Sequence, residues 1–99
     1  MGRRSLSPAH PGAILRKEFL SPRGVTPYRV ARDLRVPPPR LNDIVLCKRG
    51  ISAEMALLLA RYFGTSEAFF INLQSDYDRR LAQAALREKL ARIRPLDRD

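Results

Sequence analysis

The chain has 99 residues, 44% of them hydrophobic, and its 19 basic and 10 acidic side chains give a formal net charge of +9. This length favours one domain with one modest core, and the apolar content is too high for a disordered protein. There is no apolar run near the ~20 residues that span a membrane, and we expect no secretory signal, because no apolar segment follows the two arginines near the start. One cysteine and one histidine argue against a disulfide or a metal site. We expect a cytoplasmic protein without cofactors.

Positive charge is concentrated in the first half of the chain. Residues 1–49 carry eleven basic and three acidic side chains, a net +8, whereas residues 50–99 carry a net +1. Such a field suits a polyanion, because each phosphate that a basic side chain neutralises releases condensed counterions. A solvated basic surface without a partner would carry the same charge, so charge alone leaves both interpretations open.

Apolar spacing, prolines and glycines predict an all-α fold of five to six helices without strands. Residues 1–9 are polar and lack periodicity, which predicts a flexible arm. A first helix begins at Pro11 and ends at Gly24, and a second begins at Pro27 with Thr26 as its N-cap. The first turn of each of these two helices therefore carries a proline, whose missing N–H costs nothing there.

The run Pro37-Pro38-Pro39 ends the second helix, because proline disfavours helical geometry in the residue before it. The last of these prolines is expected to open a third helix, over residues 39–46. Its apolar residues, Leu41, Ile44 and Val45, predict the face that turns inward.

Three further segments are predicted to be helical. Ser52 is a good N-cap for an apolar fourth helix that stops at Gly64, with its stripe formed by Ala56, Leu57, Leu59, Ala60 and Phe63. A fifth helix includes Phe69, Phe70 and Leu73, and Ser75 either continues it or starts another. Residues 77–93 contain no Gly or Pro and favour helix. We assign residues 10–74 to a DNA-binding domain and 75–99 to a packing or dimerisation tail.

Two short helices joined by a tight turn form a helix-turn-helix, whose second helix lies in the major groove. Arginine matches guanine there and asparagine matches adenine, so Arg40 and Asn42 are candidates for reading bases. Asp43 either accepts from cytosine, orients Arg40 or is solvated. Thr26, Lys48 and Arg49 lie at helix ends, where they would contact phosphates, and Tyr28 either donates to a phosphate or covers the core. The candidate DNA-binding residues are Thr26, Tyr28, Pro38, Pro39, Arg40, Asn42, Asp43, Lys48 and Arg49.

Three segments carry a resemblance to a known family: HPG at 10–12, VPPPRLNDIV at 36–45, and ARYFGTS followed by NLQSDYD as far as Asp78. From about His10 to Arg80 the chain resembles the HigA antitoxins, a branch of the lambda-repressor-like helix-turn-helix proteins. The resemblance implies a homodimer that binds a palindromic operator and represses its own operon. It also implies neutralisation of a HigB-like toxin, a ribosome-associated mRNA endonuclease.

The chain departs from the family pattern at several positions. Leu46-Cys47 stands where members usually have Asn-Gly, and glycine tolerates a positive φ that cysteine does not. Pro27 replaces a common Gln, and Leu58 a common polar residue, which suggests a partner surface if Leu58 is exposed. The apolar positions 81, 84, 85, 86 and 90 favour a dimer interface.

Two alternatives stay open: a protein-interaction module that blocks a toxin, and a stand-alone transcriptional regulator without a toxin. An enzyme is not expected, because the sequence shows no paired carboxylates, no Ser-His-Asp set and no metal cluster.

Overall fold

The computed structural model describes residues 8–97, which form six α-helices and no strand. The predicted all-α class is confirmed. Residues 1–7 of the predicted N-terminal arm lie outside the described residues. The helices are α1 (Pro11–Ile14), α2 (Pro27–Leu34), α3 (Pro38–Val45), α4 (Ala53–Phe63), α5 (Ala68–Ala85) and α6 (Arg87–Arg92), and α1 continues into a π-helical segment (Leu15–Leu20) and a 3₁₀ turn (Ser21–Arg23).

Side-chain caps fix where three of the helices begin. The Thr26 hydroxyl accepts the backbone N–H three residues on, at 3.1 Å, and the Ser52 hydroxyl does the same at 3.1 Å. His10 caps α1 through Nδ1, which accepts the N–H of Gly12 at 2.9 Å. The two predicted hydroxyl caps are confirmed, and a cap of this kind contributes about 1 kcal/mol.

The third helix begins one proline earlier than the sequence predicted. Pro37 is its extended N-cap, with φ −60° and ψ 133°, so that Pro38 and Pro39 occupy the first two helical positions. The N–H groups of those positions have no partner within a helix, so a second proline costs nothing there. We expected the helix over residues 39–46, and it spans Pro38–Val45.

The core lies where α1 to α4 and the start of α5 meet, and it is closed by the fully buried Phe70. The inward face predicted for α3 is confirmed. In α4 the buried side differs from the predicted stripe, because Leu57 is 46% exposed. A helix turns by 100° per residue, so Leu57 lies on a different side of α4 from its buried neighbour Ala56. The buried apolar residues are Leu15, Leu20, Val30, Ala31, Leu41, Ile44, Val45, Ile51, Met55, Ala56, Leu59, Ala60 and Phe70.

Two close approaches hold α3 in place. Gly12 is buried against α3, and a Cβ at this position would lie 1.7 Å from the carbonyl oxygen of Ile44. On the other side, the Gln74 side chain accepts the N–H of Ile51 at 2.7 Å, which ties the segment after α3 to α5. The HPG segment and Gln74 therefore fix the position of the third helix.

The last part of the chain extends beyond the bundle. Helix α5 continues through Ser75, which is one of the two alternatives left open, but the helix predicted over residues 77–93 is interrupted at Leu86 (φ −103°, ψ 11°). Nothing in the structure explains this interruption. Residues 78–97 are all exposed. The radius of gyration, 16.8 Å, exceeds the roughly 13 Å of a compact chain of this length.

Candidate nucleic-acid interface

A three-residue turn, residues 35–37, joins α2 to α3. Arg35 ends α2 in the left-handed conformation with φ 63°, and the next N–H, of Val36, bonds to the carbonyl oxygen of Ala31 at 3.0 Å. This pattern satisfies the last carbonyls of α2 and reverses the chain sharply. The two helices therefore lie in contact, as in a helix-turn-helix.

The outward edge of α3 carries one of the two predicted base-reading residues, Asn42, together with Asp43. Its inner side is occupied by the three buried apolar residues, so the polar residues lie at its edge or on its flanks. Asn42 is exposed, while Arg40 and Asp43 are half-buried. The structure thus brings Asn42 and Asp43 to one face of α3, next to Pro39.

A shallow cavity of about 320 Å³ lies between the N-terminal ends of α2 and α3. Five of the nine candidate residues line it, among them Tyr28, which is 64% exposed. The five residues, drawn from both helices, are Tyr28, Pro38, Pro39, Asn42 and Asp43.

Arg40 is held on the flank of α3, outside this cavity. Its guanidinium lies 3.2 Å from the Glu54 carboxylate in the first turn of α4. Glu54 is 73% exposed, and an exposed pair of this kind contributes between zero and about 1 kcal/mol, so it opens readily. Sequence reasoning missed Glu54 as a partner, because no local signal relates residues 14 positions apart.

The segment that follows α3 carries two cations, Lys48 and Arg49, in an exposed turn. Cys47 adopts the left-handed conformation with φ 63°, although it stands where the family usually has glycine. The N–H of Cys47 bonds to the Ile44 carbonyl at 2.9 Å and that of Lys48 to the Asp43 carbonyl at 2.8 Å. These two bonds form a Schellman motif, which leaves Lys48 and Arg49 exposed in the turn.

The N-terminal end of α2 presents Thr26 and Tyr28. The Thr26 oxygen accepts from the backbone as the N-cap, which leaves its hydroxyl hydrogen able to donate. Tyr28 lies two residues along the chain and lines the cavity. Of the candidates outside α3, Tyr28 is therefore the one that lines the cavity.

Further along α2, Asp33 is part of an ionic cluster. The Tyr62 hydroxyl donates to its carboxylate at 2.5 Å, and Arg29 and Arg32 lie 3.6 Å and 3.7 Å away. This hydrogen bond, followed by the two guanidinium charges, holds the pKa of Asp33 below its usual value, against opposing desolvation. The same bond raises the pKa of Tyr62. Part of the basic charge of α2 is therefore balanced within the fold.

Solved structures and curated proteins resemble the chain over most of its length. A Pseudomonas aeruginosa protein in complex with its 18-base-pair operator DNA has a TM-score of 0.88 at 47% identity, covering 95% of this chain and all of that one. The Pseudomonas aeruginosa antitoxin HigA with its promoter has a TM-score of 0.84 at 50% identity, covering 90% of this chain and 98% of the other. The chain belongs to the HigA antitoxin family.

The same comparisons bear on the other predictions. Virulence-associated protein I of Dichelobacter nodosus is 43% identical over 82 residues, which are 83% of this chain and 76% of that protein. No protein-family model matches the chain. This HigA-family protein is not an enzyme, since its relatives are antitoxins and helix-turn-helix regulators. Within residues 8–97, no helix combines the length and apolar character of a membrane span.

Proposed function

We propose that this HigA-family protein is a transcriptional repressor that binds operator DNA sequence-specifically as a homodimer and neutralises a HigB-like toxin. The observation that carries the DNA-binding part is the outward edge of α3, where Asn42 and Asp43 lie beside a cavity while the opposite side of the helix is buried. A recognition helix needs this division, because one side must hold the bundle and the other must enter the major groove. Such a protein would act in the cytoplasm, with the operator.

The candidate residues divide into two roles in this proposal. Asn42 and Arg40 read base edges, Arg40 after exchanging the weak contact with Glu54 for a guanine. Lys48 and Arg49 in the turn, with the hydroxyl groups of Thr26 and Tyr28, contact the phosphates on either side. The net +8 of residues 1–49 supplies the long-range attraction to the duplex.

The homodimer is supported by exposed apolar residues on α5 and α6 and at the ends of α6. Leu81, Leu86 and Leu90 are 42%, 41% and 47% exposed, and Ile93 is 60% exposed. Monomers rarely expose a continuous patch of such residues, and a second copy would cover it. Two copies related by a two-fold axis would read half-sites about 34 Å apart on a pseudo-palindromic operator.

Single-alanine variants in a gel-shift titration test the DNA face. We expect Arg40→Ala or Asn42→Ala to cost about 1–3 kcal/mol and to relax the base preference at one position. Lys48→Ala should weaken all sequences alike and reduce the salt slope by about one. The matched control is Arg61→Ala, because Arg61 is exposed in the last turn of α4, away from Glu54 at its start. Binding that is unchanged in the α3 variants would refute this groove assignment.

Sedimentation equilibrium of two leucine variants tests the dimer. Leu90→Asp should give monomers, because it places a charge in the proposed interface. Leu57→Asp is the control, since Leu57 is similarly exposed, 46% against 47%, but lies on α4. If Leu57→Asp dissociates the dimer and Leu90→Asp does not, the interface lies on α4 instead.

The toxin partner is tested by co-expression with the product of an adjacent reading frame. We expect the two proteins to co-purify and growth arrest by the adjacent protein to be relieved. The double variant Asn42→Ala, Lys48→Ala separates the two roles, because lost repression with intact neutralisation shows two independent surfaces. The absence of any arrest or complex would leave a stand-alone regulator.

A further inference from the structure

The cavity between α2 and α3 lies at the N-terminal end of the recognition helix, but it offers few backbone hydrogen-bond donors. Pro38 and Pro39 form one wall, and their rings present only carbon and have no N–H to donate. The next backbone N–H, of Arg40, is already bonded to the Pro37 carbonyl at 3.0 Å. The N-terminal end of α3 is therefore poorly equipped to bind a phosphate in the manner of other helix ends.

The other residues that line the cavity limit which chemical group of DNA it can bind. The Asp43 carboxylate accepts hydrogen bonds and repels phosphates and the carbonyl oxygens of guanine and thymine. Tyr28 adds the edge or face of an aromatic ring. Among the groups on base edges in the major groove, only the 5-methyl group of thymine is apolar. The carbon walls of the cavity fit that methyl group better than any acceptor atom of DNA, while the Asp43 carboxylate at its edge can accept from the amino group of a neighbouring base.

We propose that this cavity is a specificity subsite for the 5-methyl group of a thymine, with an adenine read beside it by Asn42; the proposal rests on the function proposed above. Pro38 and Asn42 are four residues apart, so they are neighbours on the surface of α3, about 5–6 Å apart at Cβ. Adjacent bases in one strand are separated by about 3.4 Å, so both contacts can be made to neighbouring positions. The operator half-site should therefore contain a thymine whose methyl group matters.

The experiment begins with selection of the operator from a random duplex library using the full chain. Each thymine of the selected site is then replaced by deoxyuridine, which removes one methyl group and leaves base pairing unchanged. Dissociation constants are measured by fluorescence anisotropy for the wild-type protein and for Pro38→Ser, Pro39→Ser. The control is Pro22→Ser, because Pro22 is an exposed proline in the first turn of the 3₁₀ segment and does not line the cavity.

We expect one thymine in each half-site to be sensitive, with a loss of about fourfold in affinity per methyl group and about 15-fold when both half-sites are changed. This loss should shrink to less than about twofold in the double serine variant and persist in the control. A scan of the wild-type protein in which no thymine matters would overturn the inference, even if the serine variant failed to fold. So would an undiminished loss in a folded serine variant. Failure to select any preferred sequence would instead refute sequence-specific binding itself.

Discussion

Replacing Gly12 by alanine tests how α1 holds the recognition helix. The added Cβ would lie 1.7 Å from the Ile44 carbonyl oxygen, whereas ordinary contacts of such atoms lie at 3.4–4 Å. Because the obstacle is backbone, the conflict is relieved only if α1 and α3 separate. Separation would loosen Leu15, which is fully buried in the same core.

The expected change in the free energy of unfolding of Gly12→Ala is the balance of opposing effects. Alanine gains up to about 1 kcal/mol over glycine as a helix former, while strain in a packed core costs 1–3 kcal/mol and lost burial of Leu15 adds to it. We expect a net destabilisation of about 3 kcal/mol, which lowers the melting temperature of a domain of this size by roughly 15 °C. Operator affinity should fall as well, since α3 moves.

Thermal denaturation followed by circular dichroism measures this effect, with Gly64→Ala as the matched control. Gly64 has φ 76° and open space around its Cβ position, so alanine there meets only backbone strain, about 1 kcal/mol. We expect Gly12→Ala to melt at a clearly lower temperature than Gly64→Ala. Melting temperatures within about 3 °C of each other would show that α1 is not packed against α3 as described.

Three further predictions concern the turn after α3, the pair of Arg40 and Glu54, and the ionic cluster around Asp33. Cys47→Gly should raise the free energy of unfolding by about 0.5–1 kcal/mol without changing operator affinity, because it removes left-handed backbone strain. Thermal melts measure this gain, and Arg35→Gly, at the other left-handed position, is the comparison. Glu54→Gln should leave stability within about 0.5 kcal/mol but tighten binding to the operator more than to a duplex that lacks the guanine read by Arg40, because Arg40 is released; anisotropy titrations of the two duplexes measure this difference. The pKa of Asp33 is lowered in the folded state, so its ionised carboxylate stabilises the fold above about pH 4 and loses this effect as the pH falls through the folded-state pKa. The melting temperatures of wild type and Asp33→Asn should therefore converge in acid. A constant difference between them down to about pH 2 would contradict the ionic role of Asp33.

Local signals in the sequence predicted the helix positions well. Thr26 and Ser52 were identified as N-caps because their hydroxyl groups satisfy backbone N–H groups only a few residues away. The glycines that end the first and fourth helical segments, Gly24 and Gly64, have φ of 63° and 76°, as a helix stop requires. Errors of one residue, as at Pro38, arise because two prolines in succession are both compatible with a first turn.

Contacts between distant residues could not be predicted in the same way. The pairing of Arg40 with Glu54 and of Asp33 with Tyr62 depends on how the helices cross, and neither partner marks the other in the sequence. The interruption at Leu86 had no warning either, since neither glycine nor proline stands there. The exposure of Leu57 rather than Leu58 follows from the rotation of α4 about its axis, which a run of three leucines does not reveal.

The turn after α3 shows why a departure from a family pattern does not by itself predict a departure in structure. Leu46-Cys47 suggested a changed backbone, yet Cys47 takes the positive φ that glycine would take. Two hydrogen bonds to the end of α3 and the burial of Val45 just before it determine that backbone, and their combined contribution exceeds the roughly 1–2 kcal/mol of left-handed strain. The exposed cations Lys48 and Arg49 therefore keep the position that a glycine turn would give them. The cost of the substitution falls on stability, which a melt measures, and not on the placement of the charges.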